Sequence, residues 1–201
     1  MKLYLTIIGG CMAVIAAIVT LVWQVNYFYT LAFTALAVVL VITVDALTAT
    51  VARLLPKACA NHEKKSFIVG AKEKKLYEKM KIRKWKDLVP EIGHFTGFRK
   101  NKIAEPQSVE YVDRFLLEIC YGEIGHFFSL FLGFTVLCLY PLSDVWFALA
   151  IPVAIVNVFL NLPSLLVLRY NSYKLVVLKK SLLKKQQRAQ KAEKPVEKVE
   201  N

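Results

Sequence analysis

The sequence predicts an all-α, polytopic integral membrane protein. It has about four transmembrane helices in two hairpins, joined by a cytoplasmic interfacial helical segment. Three observations lead there. The 201 residues are 56% hydrophobic, with a mean hydropathy of +0.45, which is too apolar for an ordinary soluble domain. Four runs carry neither Lys nor Arg and are long enough to cross a bilayer, which takes about 20 apolar residues. The 27 basic residues are confined to the stretches outside those runs.

The runs are Leu3–Trp23, Tyr27–Leu47, Ile124–Leu142 and Val145–Leu168. The first is too long for a cleaved signal peptide, and no A-x-A site follows it. The links Gln24–Asn26 and Ser143–Asp144 contain no basic residue. Fifteen lie between Arg53 and Lys102, and ten from Arg169 onward. The positive-inside rule then places both termini and the middle segment in the cytoplasm of a multi-pass cell-membrane protein. The net charge of +12 sits on one membrane face. It fits anionic lipid, at about 1 kcal/mol per Lys or Arg near the surface. No nucleic-acid module is present, so nucleic acid is not an expected partner. The four cysteines give no disulfide framework, and Cys59-Ala-Asn-His62 lacks a second pair for zinc.

The expected organisation is a first hairpin (1–52), a basic interfacial segment (53–117), a second hairpin carrying the site (118–171) and a basic tail (172–201). Within the segment, A-K-E-K-K-L-Y-E-K-M-K-I-R-K-W-K reads as one helix in the headgroup layer, with Leu76, Tyr77 and Met80 on a shared face. Pro90 ends it. A second helix starts near Ser108, with Glu110 and Asp113 in its first turns, and runs on into the third span. The polar tail reads as disordered, or as a frayed continuation of span four.

Chemistry concentrates at the mouth of the third span. Glu123 and His126 lie about 60° apart on a helical wheel, and Glu118 about 80° from His126. Asp45 ends span two at a matching depth. Ionisable groups at membrane depth are costly and therefore mark candidate sites. Asn157 and Asn161 sit one turn apart in span four, before Pro163 and the interfacial Arg169-Tyr170-Asn171. The pentapeptide Glu-Ile-Gly-His-Phe occurs twice, at 91–95 and 123–127. The flanks do not match, so it is no sign of duplication.

In order, R-K-W-K (83–86), Gly93-His94, E-x4-E-x2-H (118–126) and N-x-P-x5-R-Y-N (161–171) resemble the glycosyl-4,4′-diaponeurosporenoate acyltransferase family, over about Met80 to Leu175. These are small bacterial membrane proteins of staphyloxanthin-type carotenoid synthesis. The resemblance implies transfer of a fatty acyl group onto a sugar hydroxyl of a glycosylated C30 carotenoid acid. It calls for no cofactor, only an acyl donor such as a fatty acyl thioester. The expected partners are lipid substrates, anionic membrane lipids and either a second copy or neighbouring biosynthetic enzymes.

Acyl transfer to a hydroxyl needs a general base, for which imidazole is suited. His126 is the expected base, with Glu123 as its orienting partner and Glu118 as a third catalytic candidate. Asn161 or Arg169 would stabilise an oxyanion or hold a donor phosphate. Substrate binding is expected from His94, Asn161, Arg169, Tyr170, Asn171 and Trp85. Two other readings stay open. Glu91, His94, Glu118, Glu123 and His126 match the ligand types of helical di-iron sites, although Pro90 and Gly93 spoil a helix around the first copy. The chain also reads as a non-catalytic, basic, lipid-binding or partner-organising protein.

Overall fold

A computed structural model describes residues 2–89 and 103–193. Every regular element in them is helical, and four helices are long and apolar enough to cross a membrane. The first hairpin pairs α1 (Lys2–Trp23) with α2 (Tyr27–Leu54). The turn between them places Gln24 at φ 55°. Asn26 then caps α2, its side chain accepting from the Phe28 and Tyr29 amides, which satisfies donors left open at a helix start. Thr20 and Thr30 hydroxyls lie 2.7 Å apart across the hairpin, and Thr30 also donates to the Ala16 carbonyl. Polar stitches of this kind suit helix pairs in lipid, where apolar contact alone gives little preference. α2 runs seven residues past the expected end of the second span, because Pro56 is the first residue that cannot extend it.

The basic segment differs from the single interfacial helix that the sequence predicts. α3 covers only Ala71–Lys79, and α4 covers Ile82–Trp85, followed by a 3₁₀ turn over Lys86–Leu88. Between them Lys81 adopts the left-handed region at φ 53°. The break lets Ile82 turn inward to full burial, and the Trp85 indole donates to the Met80 carbonyl across it. The shared face is corrected as well: Tyr77 is buried, whereas Leu76 and Met80 are exposed.

α5 (Val109–Leu132) starts at Ser108, whose hydroxyl accepts from the Tyr111 amide. It continues without interruption from the interfacial region into the third span, as expected. At Gly133 it tightens into a 3₁₀ stretch over Gly133–Leu142. α6 (Trp146–Glu193) crosses back and carries on as helix through most of the tail, with Pro152 and Pro163 inside it. The tail is thus helical to Glu193 rather than disordered.

α5 packs along α6, and α2 packs on α5. One core lies where α1, α2 and α6 meet, around fully buried Trp146, whose indole donates to the Val136 carbonyl at 2.9 Å. A second core joins α5 to the far part of α6 through Phe115, Leu116, Ile119, Leu175 and Leu182. The polar side chains of the second hairpin sit between these two apolar blocks.

Candidate active site

Two polar tiers occupy that space. The deeper one is built by α2, α5 and α6. Asp45 accepts from the side-chain amides of Asn161 (2.9 Å) and Asn157 (3.3 Å). Asn157 also donates to the Ser129 carbonyl at 3.2 Å, and its own side-chain oxygen accepts from Asn161 at 2.9 Å. These bonds fix which way the Asn161 amide points. Its nitrogen faces Asp45, so its oxygen faces His126 Nδ1, 2.7 Å away. An amide oxygen only accepts. Nδ1 therefore carries the proton, and in the neutral ring Nε2 keeps its lone pair.

The second tier lies nearer α3 and centres on Arg169. Its Nε and NH2 groups grip Glu73 at 2.5 and 3.0 Å. Its NH1 donates to Glu123 Oε2 at 2.9 Å and to the Ser66 carbonyl at 3.0 Å. The Tyr77 hydroxyl donates to Glu73. Burial works to raise the Glu73 pKa, but the Arg169 and Tyr77 hydrogen bonds outweigh it and hold the carboxyl below its ordinary value. Burial and then the Glu73 carboxylate push the Tyr77 hydroxyl up, so it stays protonated as a donor. Glu123 is only 4% exposed, and its Oε1 has no hydrogen-bond partner among the described residues. A buried carboxylate in that position depends on its guanidinium partner.

The expected pairing of Glu123 with His126 is not made. Both side chains are on the same stretch of α5, but Glu123 turns to Arg169 and His126 to Asn161. Arg169 is likewise not free to hold a donor phosphate, since all its nitrogens face protein acceptors. Glu118 leans toward α2, 3.7 Å from Arg53. Tyr170 packs partly buried beside Val167, with the Lys174 ammonium 4.3 Å over its ring. Asn171 is buried. Trp85 joins the small cluster of Tyr77, Ile82 and Val167 rather than the His126 tier. His94 and Glu91 lie outside the described residues. Among those that are described, no three His, Cys, Asp or Glu side chains form a group that could hold a metal ion.

Sequence reading missed Glu73, Tyr77 and the Ser66 carbonyl. Glu73 sits in a lysine-rich helix and looks like one more solvated charge. The available signal was its i, i+4 spacing to Tyr77, which puts the two on one face.

A family model for glycosyl-4,4′-diaponeurosporenoate acyltransferase matches residues 60–181. The chain belongs to that family. The match covers more than half of the sequence and includes Glu73, Glu123, His126, Asn157, Asn161 and Arg169. Asp45 and the whole of α1 lie before it. No curated protein and no solved structure matches the chain. The protein is an acyltransferase of carotenoid biosynthesis, and its four apolar helices make it a membrane protein.

Proposed function

We propose that this acyltransferase moves a fatty acyl group from a thioester donor onto a sugar hydroxyl of a glycosylated carotenoid acid, with His126 as general base. The observation that carries the reading is the chain from Asp45 through Asn161 to His126 Nδ1. It orients the ring and commits Nδ1, which leaves Nε2 to act. Nε2 takes the proton from the attacking sugar hydroxyl as its oxygen bonds to the acyl carbonyl carbon. The tetrahedral intermediate then collapses, the carbon–sulfur bond breaks, and the imidazolium returns its proton to the departing thiolate. No cofactor enters the step.

In this reading Asn161 takes the orienting role and Glu123 a supporting one. Arg169, held by Glu123, fastens α3 over the site. Both reactants are amphiphiles, so their reacting ends meet at a membrane surface while their chains stay in lipid. We place that surface at the cytoplasmic face of the cell membrane, with both termini inside. The lysine-rich faces of α3 and the α6 tail meet anionic lipid there.

Lipid-extract mass spectrometry on the native host, a deletion strain and the deletion complemented with His126→Ala tests the reading. The deletion should lose one acylated glycolipid and accumulate its unacylated precursor. His126→Ala should restore about 1% of the product or less, since a positioned base contributes roughly 10²–10⁴ in rate. Restoration of the product to wild-type levels by His126→Ala would remove His126 from the mechanism.

A further inference from the structure

An apolar groove runs between α1, α2 and α6, and it ends at the polar tier. Its upper rim is Ile8, Met12 and Leu160, with Asn157 as a polar lining residue. The Tyr4 hydroxyl donates to the Leu160 carbonyl at 3.2 Å, tying α1 to α6 at that end. Val38 and Val156 form the walls, and Ile42, 52% exposed, stands at the open side. The bottom is closed. Ile15, Val41 and Val153 are at once groove lining and buried members of the core around Trp146. From Ile8 to Ile15 the groove follows about 10 Å of helix.

From these features we infer that the groove is the binding site for the acyl chain, and that its floor measures chain length. The inference rests on the acyl-transfer reading above and assigns that reaction a second site. Asn157 belongs both to the lining and to the network. Its side-chain oxygen accepts from Asn161, and Asn161 accepts from His126. A chain in the groove is therefore two hydrogen bonds away from the base. The rest of the lining is aliphatic apart from the Cys11 thiol and the flexible Met12, which suits a saturated chain that bends to fit. The acceptor's conjugated chain is rigid and too long for a groove about 10 Å deep with a packed floor. Because the lining residue Ile42 is exposed on the outer surface of the helices, a chain reaches the groove laterally from the bilayer, while the reacting carbonyl stays at the polar tier. The α1 and α2 walls precede the family match, whereas Val153, Val156 and Leu160 of α6 lie inside it, so the groove joins the first hairpin to the matched region.

The test compares product acyl-chain distributions from the deletion strain complemented with wild type, Val156→Phe or Ile15→Ala. Val156→Phe narrows the walls and should shift the product toward shorter chains. Ile15→Ala opens the floor and should shift it toward longer ones. Overfilling a packed apolar space, or leaving one unfilled, is unfavourable enough for each ratio to move on the order of tenfold. Acylated product at normal yield with an unchanged distribution in both variants would overturn the inference and leave the acyl-transfer reading intact. A wild type that makes no acylated product would overturn the reading instead. A second measurement does not depend on turnover or on the variants folding. Wild-type protein in membranes is irradiated with a palmitic acid analogue carrying a terminal diazirine. Label on the peptides holding Met12, Ile15 or Val153, competed by palmitate, supports the site. Label that is absent from them, or not competed, means that bilayer lipid alone fills the groove and the inference fails.

Discussion

At the residue scale, the site turns on the proton positions that one amide enforces. Asn161 can face His126 with its oxygen only because Asp45 and Asn157 accept from its nitrogen. Asp45→Asn supplies the Asn161 amide with a donor as readily as an acceptor, so the amide loses the preference that fixes Nδ1–H. The expected outcome is a fall in turnover on the order of a hundredfold, with the concentration dependence on the acyl donor unchanged. Steady-state kinetics on purified protein in lipid nanodiscs separate these two parameters. Loss of donor binding with turnover intact would argue against orientation as the function of Asp45. A further prediction concerns glycine. A Cβ on Gly133 would lie 2.6 Å from the Asn157 amide nitrogen, which is already committed to Asp45 and Ser129. A Cβ on Gly125 would meet Ala49 Cα at an ordinary 3.5 Å. Gly133→Ala should therefore lower stability by about 1–3 kcal/mol and cut activity, while Gly125→Ala is tolerated. Thermal unfolding in detergent, read beside activity, distinguishes them.

At the element scale, α3 is held to the bundle by charge rather than by apolar area. Only Tyr77 of its nine residues is buried, and Arg169 joins it to α5 through Glu73 and Glu123. The Glu73 carboxyl titrates below its ordinary value in the folded protein. Its contribution is thus fully present above the unfolded carboxylate pKa, near 4.3, and is lost only as pH falls through the lower folded value. Acidification from pH 7 to pH 5 should leave α3 docked. Glu73→Gln should undock it even at pH 7. Limited proteolysis within 71–79 reads both cases: faster cleavage of wild type at pH 5 would show that another group controls docking. Arg169→Lys keeps the charge but loses the fork that reaches two carboxylates at once, and should resemble Glu73→Gln more than wild type.

At the scale of the whole molecule, the two hairpins form one helical body whose polar tiers lie toward the end that carries α3. The orientation proposed above makes a direct prediction. In a variant keeping exposed Cys59 as its single cysteine, a membrane-impermeant maleimide should label disrupted membranes and not intact cells. Labelling of intact cells to the same extent would reverse the topology and move the site to the outer face.

The sequence by itself determined the helical membrane class, the first hairpin except for the last seven residues of α2, the start of α5 near Ser108 and the stretch of α5 and α6 that carries the polar groups. Those follow from hydropathy, helix polarity and cost: apolar runs need lipid, Glu110 and Asp113 suit a helix's first turns, and a charge at membrane depth needs a reason. Only the tertiary structure decided who pairs with whom. Glu123 and His126 are neighbours on a wheel, yet they reach residues of α6 two turns apart, because Arg169 and Asn161 offer better partners there than they offer each other. Glu73 looked like surface charge, because no local pattern reports that an arginine 96 residues later will pair with it. The groove too belongs to tertiary structure, since α1 and α2 meet Val153 and Val156 only when the second hairpin packs against the first. Periodicity reports each helix's own faces, whereas hydrogen-bond partners and cavities depend on the relative depth and rotation of separate helices, which no short stretch of sequence encodes.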